Sequence, residues 1–300
     1  MTNTMRAVVA RSWGGPEVLD LAEVERPAPI ATEILVRVRA ASVNPTDWKS
    51  RKTGAGYWND PAILGYDVSG VVEEVGFGVT LYQPGDEVFG MPWFPRQAGA
   101  YAEFVTAPAR QFARKPSGLS HVEAAALPLA GLTAWQSLIE TGGLRTGDRV
   151  LVHAAAGGVG HLAVQIAKAR GAYVVGTASA AKHELVRRLG ADEVIDYRSV
   201  DFADAVRDID IVLDTVGGDY GPRSLRVLRP GGKLIRLTEP DENFTLVEPD
   251  YAGLREIVAL VEAGRLRPSV STVLPLASAA QAHELSESGR VTGKIVLTVP

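Results

Sequence analysis

The segment from Arg149 to Arg170, RVLVHAAAGGVGHLAVQIAKAR, constrains the fold more than any other stretch of the chain. A short apolar run meets a glycine cluster with no linker, and a segment of helical period follows at once, with Leu162, Ala163, Ile166 and Ala167 on one face. Strand, glycine turn and helix in that order open a parallel βαβ unit. The strand-like runs YVVGTAS, EVIDY, DIVLDTVG and GKLIRLT continue the alternation downstream. Repeated, the unit builds an open parallel sheet with helices on both faces. Upstream the rhythm differs. RAVVARS, ILVRVRAAS, VSGVVEEVG, DEVFGM and AYAEFVTAP are short segments punctuated by glycine and proline, the pattern of a small antiparallel barrel or sandwich. A third pattern closes the chain: LREIVALVEAGRL reads as a helix ending at Gly264, VSTVLPL as a strand, AAQAHELSES as a helix and KIVLTV as a last strand. A helix around residues 124 to 140 joins the first two architectures.

Within the glycine cluster, Gly158, Gly160 and Ala163 satisfy the GxGxxG/A spacing. One small residue permits a tight turn, one lets the backbone approach a pyrophosphate, and one packs helix against strand. The helix amino terminus then offers N–H groups and a positive dipole end to phosphates. The setting after a strand and before a helix points to a dinucleotide. An NAD site usually places Asp or Glu about 20 residues on, at the end of the second strand, to accept from the ribose 2′-OH. Here no acid stands between Asp148 and Glu184, while Ser179 and Lys182 stand where a 2′-phosphate would sit. Ser179 also reads as a helix cap and Lys182 as a solvated charge. The missing carboxylate favours NADP(H). Asp196 reads equally well as a turn former.

Composition sets outer bounds. The 300 residues, 46% hydrophobic and 22% charged, are those of a folded chain with two medium cores. A net charge of -4 gives no reason to expect nucleic acid or an anionic membrane as partner. The amino terminus MTNTMRAVVARSWGG lacks an apolar core of signal-peptide length, so export is not expected and a cytoplasmic location is. The apolar stretch Val150 to Ala167 has His153, His161, Gln165 and glycines in it, which suits a buried strand and helix better than a membrane span. The chain has no cysteine, and its five histidines show no HxH or HxxxH spacing, so neither a disulfide nor a metal is expected.

Three further segments, SVNPTDWK (Ser42 to Lys49), ILGYDVSGVVEEVG (Ile63 to Gly76) and GDEVFG (Gly85 to Gly90), with GAYAEFV, the glycine loop and the closing SGRVTGKIVL, resemble the medium-chain dehydrogenase/reductase superfamily. The likeness runs over nearly the whole chain and is nearest to the zinc-free quinone oxidoreductase branch with its zeta-crystallin-like proteins. Zinc-dependent relatives carry a ligand Cys where this chain has Asn44, and a ligand His followed by Glu where it has Tyr66 and Asp67. The resemblance implies an α/β chain: a GroES-like antiparallel β-barrel catalytic domain over residues 1–123, a Rossmann NADP-binding domain with a doubly wound parallel sheet over 124–264, and a return to the catalytic domain over 265–300. It implies a homodimer as well. Residue by residue, it places Asn44 and Thr133 near the nicotinamide and Gly157, Gly158, Val159 and Gly160 at the pyrophosphate. Ser179, Lys182 and Tyr197 fall at the 2′-phosphate, and Thr215 and Val216 beside the ribose and nicotinamide. LIRLT lacks the glycine that relatives place after this strand, so no contact is carried over at Leu237.

The expected reaction is direct hydride transfer from NADPH to a quinone or similar conjugated carbonyl, with orientation, water exclusion and a hydrogen bond to the developing oxyanion supplied by the protein. Tyr66, Asn44 and Tyr57 are the candidate catalytic residues, with Trp48 and Asp47 as weaker ones, and each reads also as packing or as turn structure. Tyr57, Trp58, Trp93 and Phe94 are expected to shape the acceptor pocket. His153 reads as a satisfied core histidine. Reduction of an enal, enone or enoyl thioester is the alternative within enzymes, and a catalytically silent NADPH-binding regulatory protein is the alternative of another class.

Overall fold

The structure is a computed structural model that describes residues 4–56, 58–239, 242 and 244–300. The chain divides into two units, one of Met1–Leu129, Glu248–Glu262 and Pro268–Pro300, the other of Ala130–Val247 with Ala263–Arg267.

The first eight strands belong to the first unit: β1 (Thr4–Ala10), β2 (Leu19–Glu25), β3 (Glu33–Val43), β4 (Ala62–Ile63), β5 (Val68–Val75), β6 (Glu87–Gly90), β7 (Phe104–Pro108) and β8 (Phe112–Arg114). Helix α1 (Pro45–Thr53) follows β3, and α2 (His121–Ala125) and α3 (Pro128–Trp135) lead out of the unit. The second unit holds β9 (Arg149–Val152), α4 (Gly160–Ala169), β10 (Tyr173–Ala178), α5 (His183–Arg188), β11 (Glu193–Asp196), α6 (Phe202–Ala205), β12 (Ile209–Asp214), α7 (Tyr220–Leu225) and β13 (Leu228–Arg236). The chain then returns to the first unit through α8 (Tyr251–Glu262), β14 (Val270–Pro275), α9 (Ala279–Glu287) and β15 (Lys294–Thr298).

In the first unit the long strand β3 is the spine. Along one edge its residues Glu33 to Arg37 pair with β7 and its residues Ala40 to Val43 pair with β15; along the other edge it pairs with β5. The sheet reads β14-β15-β3-β5-β6-β8, with β7 on β3, and a second sheet reads β2-β1-β4. Pairing is antiparallel except between β14 and β15, where α9 supplies the crossover that a parallel pair requires. Alternate residues Ile34, Val36 and Val38 of β3 meet Val68, Val72, Val88, Phe112, Ile295 and Leu297 in one core.

The second unit is a five-stranded parallel sheet in the order β11-β10-β9-β12-β13. Leu151, Val175, Phe202, Val212 and Val227 fill its main core. The chain starts at the central β9 and winds outward in both directions, so the order reverses between β9 and β12. At such a point the loops leaving two neighbouring strands part and form a crevice at their carboxyl ends.

Two stretches differ from the sequence expectation. The helix expected over 124 to 140 is divided into α2, α3 and a π-helical turn over Gln136–Thr141. Pro128 explains the division, because it has no N–H to continue a helix and suits the first turn of a new one. Helix α8 groups with the first unit, although its sequence was expected to close the Rossmann domain. It packs on β8, and the Arg110 guanidinium lies 6.0 Å from the centre of the Tyr251 ring. Only the short segment Ala263–Arg267 groups with the second unit, where Arg267 N donates to Gln165 Oε1 (2.9 Å) and Gln165 Nε2 donates back to Arg267 O (3.0 Å).

Candidate active site

The strand β9 ends at Val152 and the chain turns over Ala154, whose φ of 47° lies in the left-handed region. That conformation is costly for a residue with a Cβ and is held from two sides. Ala154 N and Ala155 N donate to Oγ1 and O of Thr177 on β10 (3.2 and 2.9 Å), and Gly157 N donates to Ala154 O (2.8 Å). Gly157, Gly158 and Val159 form the rest of the turn, and Gly160 opens α4. A Cβ on Gly160 would stand 2.3 Å from Ala154 O, so the close approach of turn and helix requires glycine there. Behind it, Leu162, Ala163, Ile166 and Ala167 are buried as their spacing predicts.

Across the β9–β12 crevice, Thr215 Oγ1 donates to His153 O (2.9 Å) and ties the two loops together. Val216 N and Gly217 N both donate to Asp214 Oδ1 (2.9 Å each). Asp214 is fully buried, and Arg236 Nε stands 3.8 Å from its Oδ2. This carboxylate sets the loop that carries Thr215 and Val216. Thr133 is buried on α3. His153 is a core histidine in contact with Thr177 Oγ1 (3.2 Å) and Ser224 Oγ (3.0 Å), and burial pushes its pKa down to about 3.

At the outer end of the sheet, Ala178 of β10 is in register with Asp196 of β11, which brings Ser179 beside Tyr197 and Arg198. Tyr197 is exposed. Burial, and then the charge of Arg198, hold the Lys182 ammonium below its usual pKa, so two cations face the same strand end. Asp196 Oδ1 accepts from Arg198 N (3.1 Å) and acts in the turn. The sequence reading missed Arg198, although YR directly after EVID was its visible signal.

Asn44, a catalytic candidate of the first unit, belongs to a buried ion network. Asn44 starts α1, and its backbone N–H donates to Asp47 Oδ2 (2.7 Å). Its side-chain Nδ2 donates to Asp67 Oδ2 (2.8 Å), while its Oδ1 accepts from the Lys294 ammonium (2.5 Å). Asp67 also accepts from Ser42 Oγ and from Leu129 N (2.6 Å), and Lys294 Nζ lies 3.4 Å from its Oδ2. Asp67, Asn44 and Lys294 are 0%, 2% and 3% exposed. Both polar ends of Asn44 are thus engaged, and the side chain braces the site from within.

A second chain runs from Asp47 Oδ2, which accepts from Tyr101 Oη (3.1 Å), to His283 Nε2, 3.2 Å from the same hydroxyl. Burial, partly offset by the Asn44 N–H and reinforced by the charge of Asp67, raises the pKa of Asp47 to about 7. Burial and then the charge of Arg51 lower that of His283 to about 3. The signs are opposite. Asp47, raised above its unfolded value, contributes stability in acid that is lost as pH rises through about 7; His153 and His283, lowered, contribute stability above the usual imidazole range that is lost as pH falls. Hence the Tm of Asp47→Asn, relative to that of the unaltered protein, should rise from pH 5 to pH 8 in thermal denaturation. Parallel curves would show that Asp47 keeps an ordinary pKa.

Tyr66 is 2% exposed, with its hydroxyl 3.5 Å from Pro95 O and its ring edge-on to Phe94 at 4.8 Å. Burial raises its pKa, so the phenol is a firmly held proton in an aromatic wall. Trp48 is half-buried, with the Lys52 ammonium 5.0 Å from its ring centre. Tyr57 lies outside the described residues. Next to this wall Gly56, Trp58, Asn59, Trp93, Arg96 and Gln97 line an open cleft of about 580 Å³. Among the described residues no group of three or more His, Cys, Asp or Glu side chains could hold a metal ion, and no helix is long and apolar enough to cross a membrane.

The chain is similar to known proteins over nearly its whole length. Residues 30–117 match the family "Alcohol dehydrogenase GroES-like domain" and residues 189–297 match "Zinc-binding dehydrogenase". The mouse (Mus musculus) NAD(P)H oxidoreductase RTN4IP1, mitochondrial, is 33% identical over 99% of this chain and 91% of its own length. The 2-methylene-furan-3-one reductase of Solanum lycopersicum is 36% identical over 98% of this chain and 79% of its own. The solved quinone oxidoreductase of Coxiella burnetii is 38% identical, covers 99% of this chain and 100% of its own, and superposes with a TM-score of 0.92. The chain therefore belongs to the medium-chain dehydrogenase/reductase superfamily, as an oxidoreductase with a GroES-like unit and a Rossmann-type nucleotide unit.

Proposed function

We propose that the protein is an NADPH-dependent reductase that delivers hydride to a quinone or to a carbon–carbon double bond conjugated with a carbonyl, with no zinc. The observation that carries the cofactor choice is the pair of cations, Lys182 and Arg198, beside Ser179 and Tyr197 at the end of β10. A 2′-phosphate placed there takes charge-assisted bonds from both. The turn Gly157–Gly160 holds the pyrophosphate on the first turn of α4, and Thr215, Val216 and Thr133 orient the ribose and nicotinamide. NADPH supplies the hydride; the chain binds, orients and excludes water.

The residues of the first unit do not fit zinc. Where zinc-dependent relatives have Cys and His, this chain offers an amide and a phenol, and Asp67 already carries three hydrogen bonds and an ammonium at 3.4 Å. The reading also includes a homodimer in the cytoplasm; light scattering at twice the chain mass supports the dimer, and at the chain mass rejects it.

Each charge-assisted phosphate contact is worth about 1.5–3 kcal/mol, or roughly 10- to 100-fold in affinity. Lys182→Ala and Arg198→Ala should therefore each weaken NADPH by at least about tenfold while leaving NADH nearly unchanged, in titrations of nicotinamide fluorescence. Equal losses for both cofactors would remove the NADPH assignment.

A further inference from the structure

The open cleft of the first unit is built around a strained tryptophan. Trp93 has a φ of 60°, a left-handed conformation unusual for a bulky residue. The surroundings maintain it: Trp93 N donates to Gln111 Oε1 and Nε1 to Thr106 O (2.8 Å each), and its carbonyl accepts from Arg96 N (2.7 Å). Backbone strain held in this way clusters at active sites and ligand clamps. Trp58 Nε1 donates to Ala55 O (3.0 Å). Both indole N–H groups are thus occupied, and the two residues offer the cleft flat apolar surface.

Of the polar groups beside them, Arg96 and Gln97 offer donors. Gln97 Oε1 accepts from Asn59 N (3.1 Å) and Ile63 N (3.3 Å), which fixes the amide and leaves its Nε2 facing no partner among the described residues. The Arg96 guanidinium is exposed and makes no hydrogen bond or ion pair among the described residues. A guanidinium fork and an amide N–H beside two indoles match a flat ligand ending in a carboxylate, which a guanidinium binds through two parallel bonds.

We propose that this cleft binds conjugated acceptors that bear a carboxylate, with the flat ring against Trp58 and Trp93 and the carboxylate on Arg96 and Gln97. The inference rests on the reductase reading and narrows its substrate class. Two 1,4-naphthoquinones test it, one with a propanoate side chain and one with the methyl ester of that chain, each reduced by NADPH under the full-length protein. The acid should exceed the ester about tenfold in kcat/KM, mainly through KM, as expected for one ionic contact. Arg96→Gln should bring that ratio near one, and Arg96→Lys should restore part of it. Equal use of acid and ester, or an unchanged ratio in Arg96→Gln, overturns the proposal and leaves the reductase reading standing. If neither quinone is reduced, quinones are not the acceptors and the reductase reading stands or falls on reduction of conjugated carbon–carbon double bonds. The cleft is then judged by quenching of tryptophan fluorescence by the acid in cofactor-free protein. Binding weakened about tenfold by Arg96→Gln upholds the carboxylate site, and unaffected binding rejects it.

Discussion

Replacement of Lys294 by Met should lower the stability of the first unit by about 3–5 kcal/mol, the loss expected when one partner of a buried ion pair is removed. The ammonium lies on Asn44 Oδ1 and 3.4 Å from Asp67, in a setting only 0–3% exposed. Without it Asp67 keeps its bonds from Ser42, Asn44 and Leu129, but a negative charge is left buried with Asp47 as its neighbour. At about 2–4 °C per kcal/mol for a unit of this size, Tm should fall by roughly 10 °C. The double variant Lys294→Met with Asp67→Asn removes both charges and should regain most of the loss. A double variant that loses the sum of the two single effects would show that lysine and aspartate do not act as a pair.

Gly160→Ala should all but abolish NADPH binding, with a loss on the order of 100-fold or more, equivalent to about 2.7 kcal/mol. The added Cβ would stand 2.3 Å from Ala154 O and 2.9 Å from Ala155 Cα, and both are backbone atoms of a turn already held at φ 47°. Relief requires the turn to move away from the helix, which pulls its amides out of the phosphate position. Gly157→Ala is the internal comparison. Its Cβ would meet Ala154 O at 3.1 Å, a contact that a shift of a few tenths of an ångström relieves, and its loss should stay within about tenfold, or 1.4 kcal/mol. Fluorescence titration of both variants reads the difference. Equal losses would mean that the glycines serve the turn alone and that the distance between turn and helix is unimportant.

The parts legible in the sequence are those whose physics is local. The strand, turn and helix at Val150 to Ala167 follow from periodicity and from the need for small residues, and Ser179 and Lys182 stand out because no acid lies near them in the chain. The parts that were not legible depend on distance along the chain. Lys294 is 250 positions from Asn44, and only the pairing of β15 with β3 brings GKIVL against SVN. Asp214 is not marked out within the strand-like run DIVLDTVG, yet its buried carboxylate shapes the loop that follows. Arg198 stands in plain view directly after EVID, but only the register of β10 with β11 sets it near the end of the strand that carries Ser179. Tyr66 reads from sequence either as a hydrogen-bond donor or as packing, and its place in an aromatic wall beside Phe94, at 2% exposure, depends on contacts from distant parts of the chain. The left-handed Trp93 has no sequence signature at all, since strain of this kind is imposed by neighbours.

One measurement addresses hydride transfer by NADPH without a metal most directly. Full-length protein, dialysed against a strong chelator, is mixed with NADPH or NADH and a panel of 1,4-benzoquinones, 2-alkenals and an enoyl thioester, and nicotinamide absorbance is followed. Steady oxidation of NADPH by at least one acceptor, well above that of NADH and unchanged by added zinc, is the expected result. NADPH that binds but is oxidised by no acceptor, or activity that returns only with zinc, would contradict it.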